Sequence, residues 1–473
     1  MKTGKITVNE LFSGIGAQVS ALERLGIPCE IKHTSDIDHN AVLAYASIHC
    51  GLTEELINTY AEYPTREEMA RQLTEINLGY DFQKNKPYNW YRFVNSKSKE
   101  LEKYWLANKL SKNLGDISKL KHLEYADFWT YSFPCTDISV AGKQEGIKQG
   151  QTRSGLLYEV QRLLERANKM LALPKYLMLE NVKNLVGKKF KPQFDEWIAW
   201  LDRLGYNTYW KVLNAKDYGI PQNRERVFAI SIRKDIDDGK FEFLQPFDNG
   251  VRLKDVLEDN VNKKYYLSED IQNRLIITDK TLTKNVIGTT KPSFRTIGQP
   301  KQILDTNCCV KVGDLNYYPY ETLNRVYSKE GISPTLTTMQ GGNTEPKIAE
   351  PIAYVKEATK KGYAEIYEGD SVNLEQPNSK TRRDRVGKGC AQTLTTSCNQ
   401  AVVESETKSF RVRKLTPREC YRLMGFKDEQ FDKAQQFSSD SQLYKQAGNS
   451  IVVDVLYYIF EKLFVNEESG TNI

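Results

Sequence analysis

Cys135 follows a proline at the end of an apolar stretch, in Tyr-Ser-Phe-Pro-Cys-Thr-Asp-Ile-Ser. Cysteine carries appreciable thiolate near neutral pH and is intrinsically strongly nucleophilic. The run Asp127–Phe133 reads as a short buried strand that Pro134 stops. Cys135 should therefore stand on a loop at a strand's carboxyl end, where α/β sheets carry their chemistry. Taken alone, one of eight cysteines is more readily read as a small buried hydrophobe. Its company argues otherwise. Glu180 follows the apolar strand Tyr176–Leu179 and comes to the same sheet edge, where partial desolvation would keep its carboxyl group protonated or sharing a proton with a ring nitrogen. Arg224 and Arg226 alternate in Gln-Asn-Arg-Glu-Arg, on one face of a strand or extended turn. They suit a carbonyl oxygen and a phosphate, with a solvated charge run as the competing reading.

A second set of residues points to a nucleoside-bearing ligand. Gly14 and Gly16 lie in Glu-Leu-Phe-Ser-Gly-Ile-Gly-Ala, between a first strand and a first helix. Val19 stands where a dinucleotide fingerprint would have its third glycine, and no Lys-Ser/Thr follows as in a phosphate loop, so a cofactor without pyrophosphate is favoured. Asp36 and Asp38 follow the second strand, where a carboxylate can accept ribose hydroxyls. Asp116 and Ile117, after Leu114-Gly115, would end the next strand and meet an adenine amino group. Acidic strand ends with a glycine turn suggest S-adenosylmethionine, although each acid alone is more often a cap or turn residue.

The elements that must position these groups form an α/β pattern. Apolar Ile6–Leu11, a helix over Ala17–Leu25 and another over His39–Ile48 make a βαβ unit. Alternation resumes after Asp127, with strands near Tyr176–Leu179, Tyr206–Leu213 and Arg226–Ile232 and helices over Leu156–Lys169 and Phe194–Leu204. A parallel, doubly wound sheet is expected. Residues 51–113, rich in Tyr, Trp, Asn, Lys and Glu, read as an insertion on the rim, a solvated helical excursion. From about 246 to 407 short polar segments predict a smaller, irregular, mostly-β domain. Within it Gly331-Ile-Ser-Pro-Thr-Leu-Thr-Thr and Gly389-Cys-Ala-Gln-Thr-Leu-Thr-Thr form a partial repeat, read either as two substructures offering Arg, Thr and backbone groups to one partner or as two hairpins packed together. Helices over Thr416–Met424 and Ile451–Leu463 return to α/β character, so residues 408–473 should complete the domain begun by residues 1–245.

The totals narrow the class. There is no long apolar run, which argues against secretion or a membrane span. The cysteines include no C-x-x-C pair, and the four histidines complete no zinc spacing, so reduced thiols and no metal are expected. A net charge of +6 suits an anionic partner only weakly.

Phe133-Pro-Cys135, Glu180-Asn-Val182, Gln222-x-Arg-x-Arg226, Leu11-Phe-x-Gly-x-Gly16, Arg413-x-Leu-Thr-Pro-Arg-Glu419 and Gly448-Asn-Ser450 stand in the order typical of DNA (cytosine-5)-methyltransferases. The chain resembles that family over nearly its whole length, in particular the bacterial and phage type that includes CpG methyltransferases. The resemblance implies a Rossmann-like S-adenosylmethionine-dependent domain and a target-recognition domain. It implies that Phe12, Gly14, Ile15, Gly16, Asp36, Ile37, Asp116, Ile117, Pro134, Leu156, Asn449 and Ser450 surround the cofactor, the last two at its methionine end. Cys135 matches the nucleophile, Glu180 the partner of cytosine N3 and its amino group, and Arg226 the ligand of O2. Arg224 and Ser139 are expected beside phosphate or the active-site loop. Arg325, Thr335, Thr337, Arg382, Arg383, Arg385, Thr393 and Thr395 are the candidates for DNA contact. Three departures stand out: Thr136 for a glutamine after the nucleophile, Ile37 for an aromatic against adenine, and Ala17 for a glycine.

The expected partner is double-stranded DNA, with a cognate restriction endonuclease as a further one; a cytoplasmic, nucleoid-associated monomer is expected. Competing readings are a tRNA cytosine-5 methyltransferase, whose recognition region would be shorter, a catalytically silent DNA-binding relative, and an NAD-dependent oxidoreductase.

Overall fold

The computed structural model describes residues 5–81, 86–139, 145–268, 307–329, 331–338, 343–351 and 413–465, and the backbone of short strands at 276–277, 353–356, 363–366, 371–373, 386–387, 400–402 and 410–412. Its largest sheet has six strands. These are β1 (Ile6–Leu11), β2 (Cys29–Ser35), β5 (Phe128–Tyr131), β6 (Tyr176–Val182), β7 (Tyr206–Asn214) and β8 (Glu225–Arg233), in the order β2-β1-β5-β6-β8-β7; β3 (Tyr80–Asp81) and β4 (Lys86–Pro87) form a separate small hairpin.

Side-chain alternation builds two cores from these strands. Val8, Phe128, Met178, Phe228 and Ile230 face one layer, while Leu11, Trp129, Leu177, Leu179, Val227 and Ala229 face the other. The first layer contains α1 (Ala17–Arg24) and the helix Val453–Phe464, whose Phe460 ring meets Phe128 edge-on at 5.5 Å. An ion pair of 2.7 Å between Arg24 and Asp454 joins the two helices. The second layer contains α6 (Leu157–Lys169) and α7 (Lys191–Leu204). Helices on both faces make the sheet doubly wound.

Three expectations change. First, β8 runs antiparallel to both β6 and β7, so the sheet is mixed. A period-2 pattern is the same read in either direction, and the short connection from β7 to β8 permits a hairpin. Second, the strand expected before Asp116 is reduced to a single parallel bridge between Thr34 and Asn113. Asp116 instead caps the 3-10 turn Ile117–Lys119, accepting from the Ser118 amide at 2.9 Å. Third, residues 51–113 are no solvated excursion. Leu52, Ile57, Met69, Leu73, Trp90, Leu101 and Leu106 are buried with Val42, Leu43 and Ala46, in a core shared by α2 (His39–His49), α3 (Glu54–Thr59), α4 (Arg66–Glu75) and α5 (Glu100–Leu110).

A second sheet of five strands contains Lys311–Asp314, Arg325–Tyr327, Lys347–Pro351 and Phe410–Lys414, so it runs past residue 407. Its last strand is tied to the helix Pro417–Arg422 by a fully buried, two-pronged ion pair of Arg413 with Glu419, at 2.8 and 2.9 Å. Glu419 also accepts from the amides of Thr416 and Glu258, so its charge is compensated from several sides. Among the described residues no helix is long and apolar enough to cross a membrane.

Candidate active site

Beyond β5 the chain turns sharply at Cys135, whose carbonyl accepts from the amides of Ile138 at 3.0 Å and Ser139 at 2.8 Å. Side chains from other elements hold this turn. Asn181 donates to Phe133 O at 3.0 Å and Asn184 to Ile138 O at 2.6 Å. The Ser154 hydroxyl donates to Pro134 O at 2.7 Å, and its amide to Asp137 Oδ2 at 2.8 Å. The nucleophile's loop is thus fastened to the end of β6 and the start of the α6 region. Asn184 and Ser154 carried no signal in the sequence, because a lone amide or hydroxyl does not reveal its partner.

Glu180 lies within β6, which continues to Val182 rather than ending at Leu179. It opposes Phe228 on β8, and Arg226, two residues along, shares that face. The Nε of Arg226 consequently stands 3.3 Å from Oε1 of Glu180. Burial pushes the Glu180 carboxyl above its usual range, while Arg226 and then Arg224 pull it back. The half-buried Cys135 thiol is also raised, first by burial and then by the Glu180 charge, with Arg226 and Arg224 opposing. A thiol, a carboxyl group and a guanidinium group therefore share one electrostatic environment at one sheet edge.

Arg224, expected beside phosphate or the active-site loop, stands close enough to Cys135 and Glu180 for its charge to act on both. Its guanidinium is buried and donates to Leu336 O at 2.9 Å, Gly448 O at 2.9 Å and Ser450 O at 2.8 Å. Burial and the nearby Arg226 lower its pKa to about 9. Arg224 thus acts as a clamp between the turn that enters β8, the Gly331–Thr338 segment and the Gly448–Ser450 segment. A Cβ at Gly448 would collide with Thr337 O, so that close approach requires glycine.

At the carboxyl end of β1, the parallel neighbour of β5 and so the same end of the sheet as Cys135, Phe12, Gly14 and Gly16 take left-handed backbone conformations before α1. A Cβ on Gly14 would meet open space, whereas one on Gly16 would strike His49 and Tyr45. Asp36 braces the turn, accepting from Gly14 N at 2.9 Å and from Asp38 N at 2.8 Å. Burial and the neighbouring Asp38 raise its pKa to about 6. Asp38 caps α2 and pairs with Lys445 at 2.7 Å, the cap role left open for it. Ile15 and Ile117 are buried, as is Ser450, while Asn449 is exposed at the end of the helix Asp440–Asn449 and Leu156 closes the 3-10 turn that enters α6. Below the turn, Glu10 is buried and accepts from the Tyr45 hydroxyl at 2.5 Å; burial pushes its pKa up to about 7. The open space at Gly14, the acidic groups Asp36 after β2 and Asp116 at its 3-10 turn, and apolar Ile15, Ile37 and Ile117 fit an adenosine-bearing ligand.

Of the residues expected to touch DNA, Arg325 and Thr335 are among the described ones, and both are engaged within the protein. Arg325 is paired with Glu321 at 2.6 Å. The Thr335 hydroxyl donates to Asn223 O, and Gln222 Oε1 accepts from Leu336 N at 3.2 Å, so the first copy of the repeat packs on the Gln222–Arg224 turn. Arg382, Arg383, Arg385, Thr393 and Thr395, with the second copy, lie outside the described residues.

Residues 81–465 match the model of the C-5 cytosine-specific DNA methylase family. The chain is 34% identical over 469 residues to the type II methyltransferase M2.ScrFI of Lactococcus lactis subsp. cremoris, covering 98% of this chain and 100% of that one. It is 30% identical to the orphan methyltransferase M.SPBetaI of Bacillus phage SPbeta, with 98% and 99% covered, and 35% identical to M.SssI of Spiroplasma monobiae, with 74% and 83% covered. Among solved structures, the Entamoeba histolytica methyltransferase EhMeth aligns over 98% of each chain, at 15% identity and a TM-score of 0.49. Agreement over essentially the full length with several relatives leaves one assignment: the chain belongs to the C-5 cytosine-specific DNA methylases and is a DNA (cytosine-5-)-methyltransferase.

Proposed function

We propose that the protein methylates C5 of a cytosine flipped out of a specific duplex DNA sequence, with S-adenosylmethionine as donor and a covalent bond from Cys135 to C6. The carrying observation is the Arg226–Glu180 contact at the sheet edge that also bears Cys135. Cytosine C5 is a poor nucleophile. Addition of the Cys135 thiolate to C6 converts the ring to an enamine with electron density at C5. Glu180, its carboxyl raised by burial, hydrogen-bonds N3 and the amino group and supplies a proton at N3 as negative charge develops there. Arg226 polarises O2. After C5 has taken the methyl group, loss of the C5 proton to a base restores the double bond and expels Cys135 Sγ. The cofactor, when bound, supplies the methyl group from a positively charged sulfonium.

Phe12, Ile15, Asp36, Ile37, Asp116, Ile117, Pro134, Leu156, Asn449 and Ser450 would hold that cofactor, with Gly14 leaving room for it. Residues 1–245 and 408–473 form the catalytic body in this reading, and 246–407 the target-recognition domain; the helix Val453–Phe464 lying on α1 supports it. The base is flipped because stacking hides the faces of C5 and C6, at a cost on the order of a few kcal/mol that phosphate contacts must offset. The reading needs no metal and no second subunit, places the enzyme on cytoplasmic DNA and leaves room for a cognate restriction endonuclease.

The test is methyl transfer from labelled cofactor to duplex DNA and to tRNA, with bisulfite sequencing of the DNA. Cys135→Ala should lose transfer to duplex DNA while still binding DNA and cofactor. Equal activity in that variant, or transfer to tRNA alone, would overturn the proposal.

A further inference from the structure

The region between α4 and β3 reaches back onto the sheet edge read above as the adenosine end of the cofactor site. Ile76 O accepts from Asp116 N at 2.9 Å, and Gly79 N donates to Ile37 O at 2.7 Å. The four residues Ile76–Gly79 therefore bridge the two loops that carry Ile37 and Asp116. The approach is close: a Cβ on Gly115 would collide with Ile76 O. The turn is itself anchored from behind, since Leu78 O accepts from the buried Trp90 indole at 2.7 Å and Gly79 O from Tyr88 N at 2.9 Å. Asn77 sits in this turn with a left-handed φ of 56°. Its side-chain amide donates to Asp116 Oδ2 at 2.9 Å.

Asp116 is half-buried and held from two sides. Its Oδ1 accepts from Ser118 N at 2.9 Å and Ser118 Oγ at 2.7 Å, while Oδ2 accepts from Asn77. A carboxylate offers about four lone-pair positions, so these three donors leave about one, on the oxygen that Asn77 holds. Such a group is preset for a single further N–H donor. A carboxylate free to rotate would lose part of that hydrogen bond's worth in ordering its side chain.

We infer that Asn77, supplied by the inserted region, is a positioning residue for cofactor recognition: it fixes Asp116 so that its remaining acceptor selects the 6-amino group of adenine. The inference rests on the reading of Asp116 as part of the cofactor site. It gives residues 51–113 a part in the reaction, as the wall that sets base selectivity at the adenine end.

The experiment is calorimetric binding of S-adenosylhomocysteine and of its inosine counterpart, in which an oxo group replaces the 6-amino group, to the full chain. The wild type should prefer the adenine compound. Asn77→Gly removes the amide but tolerates the left-handed turn, and should weaken adenine binding by up to about tenfold while leaving inosine binding nearly unchanged, the cost of ordering a freed carboxylate side chain on binding. Asp116→Asn should abolish the preference as well, and the double variant should lose no more than Asp116→Asn alone. Equal weakening of both ligands by Asn77→Gly would mark a merely structural role and overturn the inference. Loss of the preference in Asp116→Asn with no effect of Asn77→Gly would overturn it while sparing the cofactor reading. A wild type without preference, or an Asp116→Asn variant that keeps it, would overturn both.

Discussion

Arg226 Nε lies 3.3 Å from Glu180 Oε1, across two antiparallel strands whose register puts both side chains on one face. Glu180 raises the Cys135 pKa and Arg226 lowers it, so the pair acts on the thiol in opposite directions. At a pH below the thiol's pKa, where Glu180 is ionised, Glu180→Gln should speed alkylation of Cys135 by iodoacetamide. Arg226→Gln should slow it. Both should lower the rate of methyl transfer about a hundredfold or more, as loss of a preorganised hydrogen-bond donor does. Alkylation rates that move the same way in both variants would contradict the arrangement.

Arg224 is a clamp, and its replacement should behave as one. Lysine cannot reach three carbonyls with one fixed fork. Arg224→Lys should lower stability by about 2–4 kcal/mol, since buried acceptors lose their donors, and should weaken cofactor affinity because Ser450 is released. If the variant instead lowers the slope of DNA affinity against salt by about one, with cofactor affinity unchanged, Arg224 is a phosphate ligand.

Glu10 should make stability depend on pH. Its pKa is 4.5 as a free side chain and about 7 in the folded protein, raised by burial against the opposing Tyr45 hydrogen bond, with the Glu23 charge adding to the rise. Between these values the folded state holds more protons than the unfolded one, so stability falls as pH rises through that window. The full span is about 3 kcal/mol. Glu10→Gln should remove it, melting higher than wild type at pH 8 and about equally at pH 4.5. An unchanged pH dependence of melting would show that the group is not responsible.

Much of the site was legible because strand ends are. The apolar run before Pro134 marked β5, although the strand ends at Tyr131 rather than at the proline, and the apolar residues before Glu180 and around Gly14 marked neighbouring ends of the same sheet. What stayed hidden depended on partners rather than on local pattern. The direction of β8 leaves no trace in a period of two. The use of Arg224 on three carbonyls could not be told from its type. The core of residues 51–113 escaped notice because its apolar residues are spread over short helices and part of that core comes from α2. The segment before Asp116 does meet the end of β2, but the strand expected to carry Asp116 is a single bridge.

The central claim is that Cys135 bonds to C6 of the target cytosine. Duplex DNA containing 5-fluorocytosine at the methylated position should, with S-adenosylmethionine, give an adduct that survives denaturation, because fluorine at C5 cannot leave as a proton does. Mass spectrometry of the digested complex should find the modified base on the peptide containing Cys135. An adduct on Cys308, Cys309 or any other cysteine, or no adduct from an enzyme that still methylates ordinary DNA, would contradict the account.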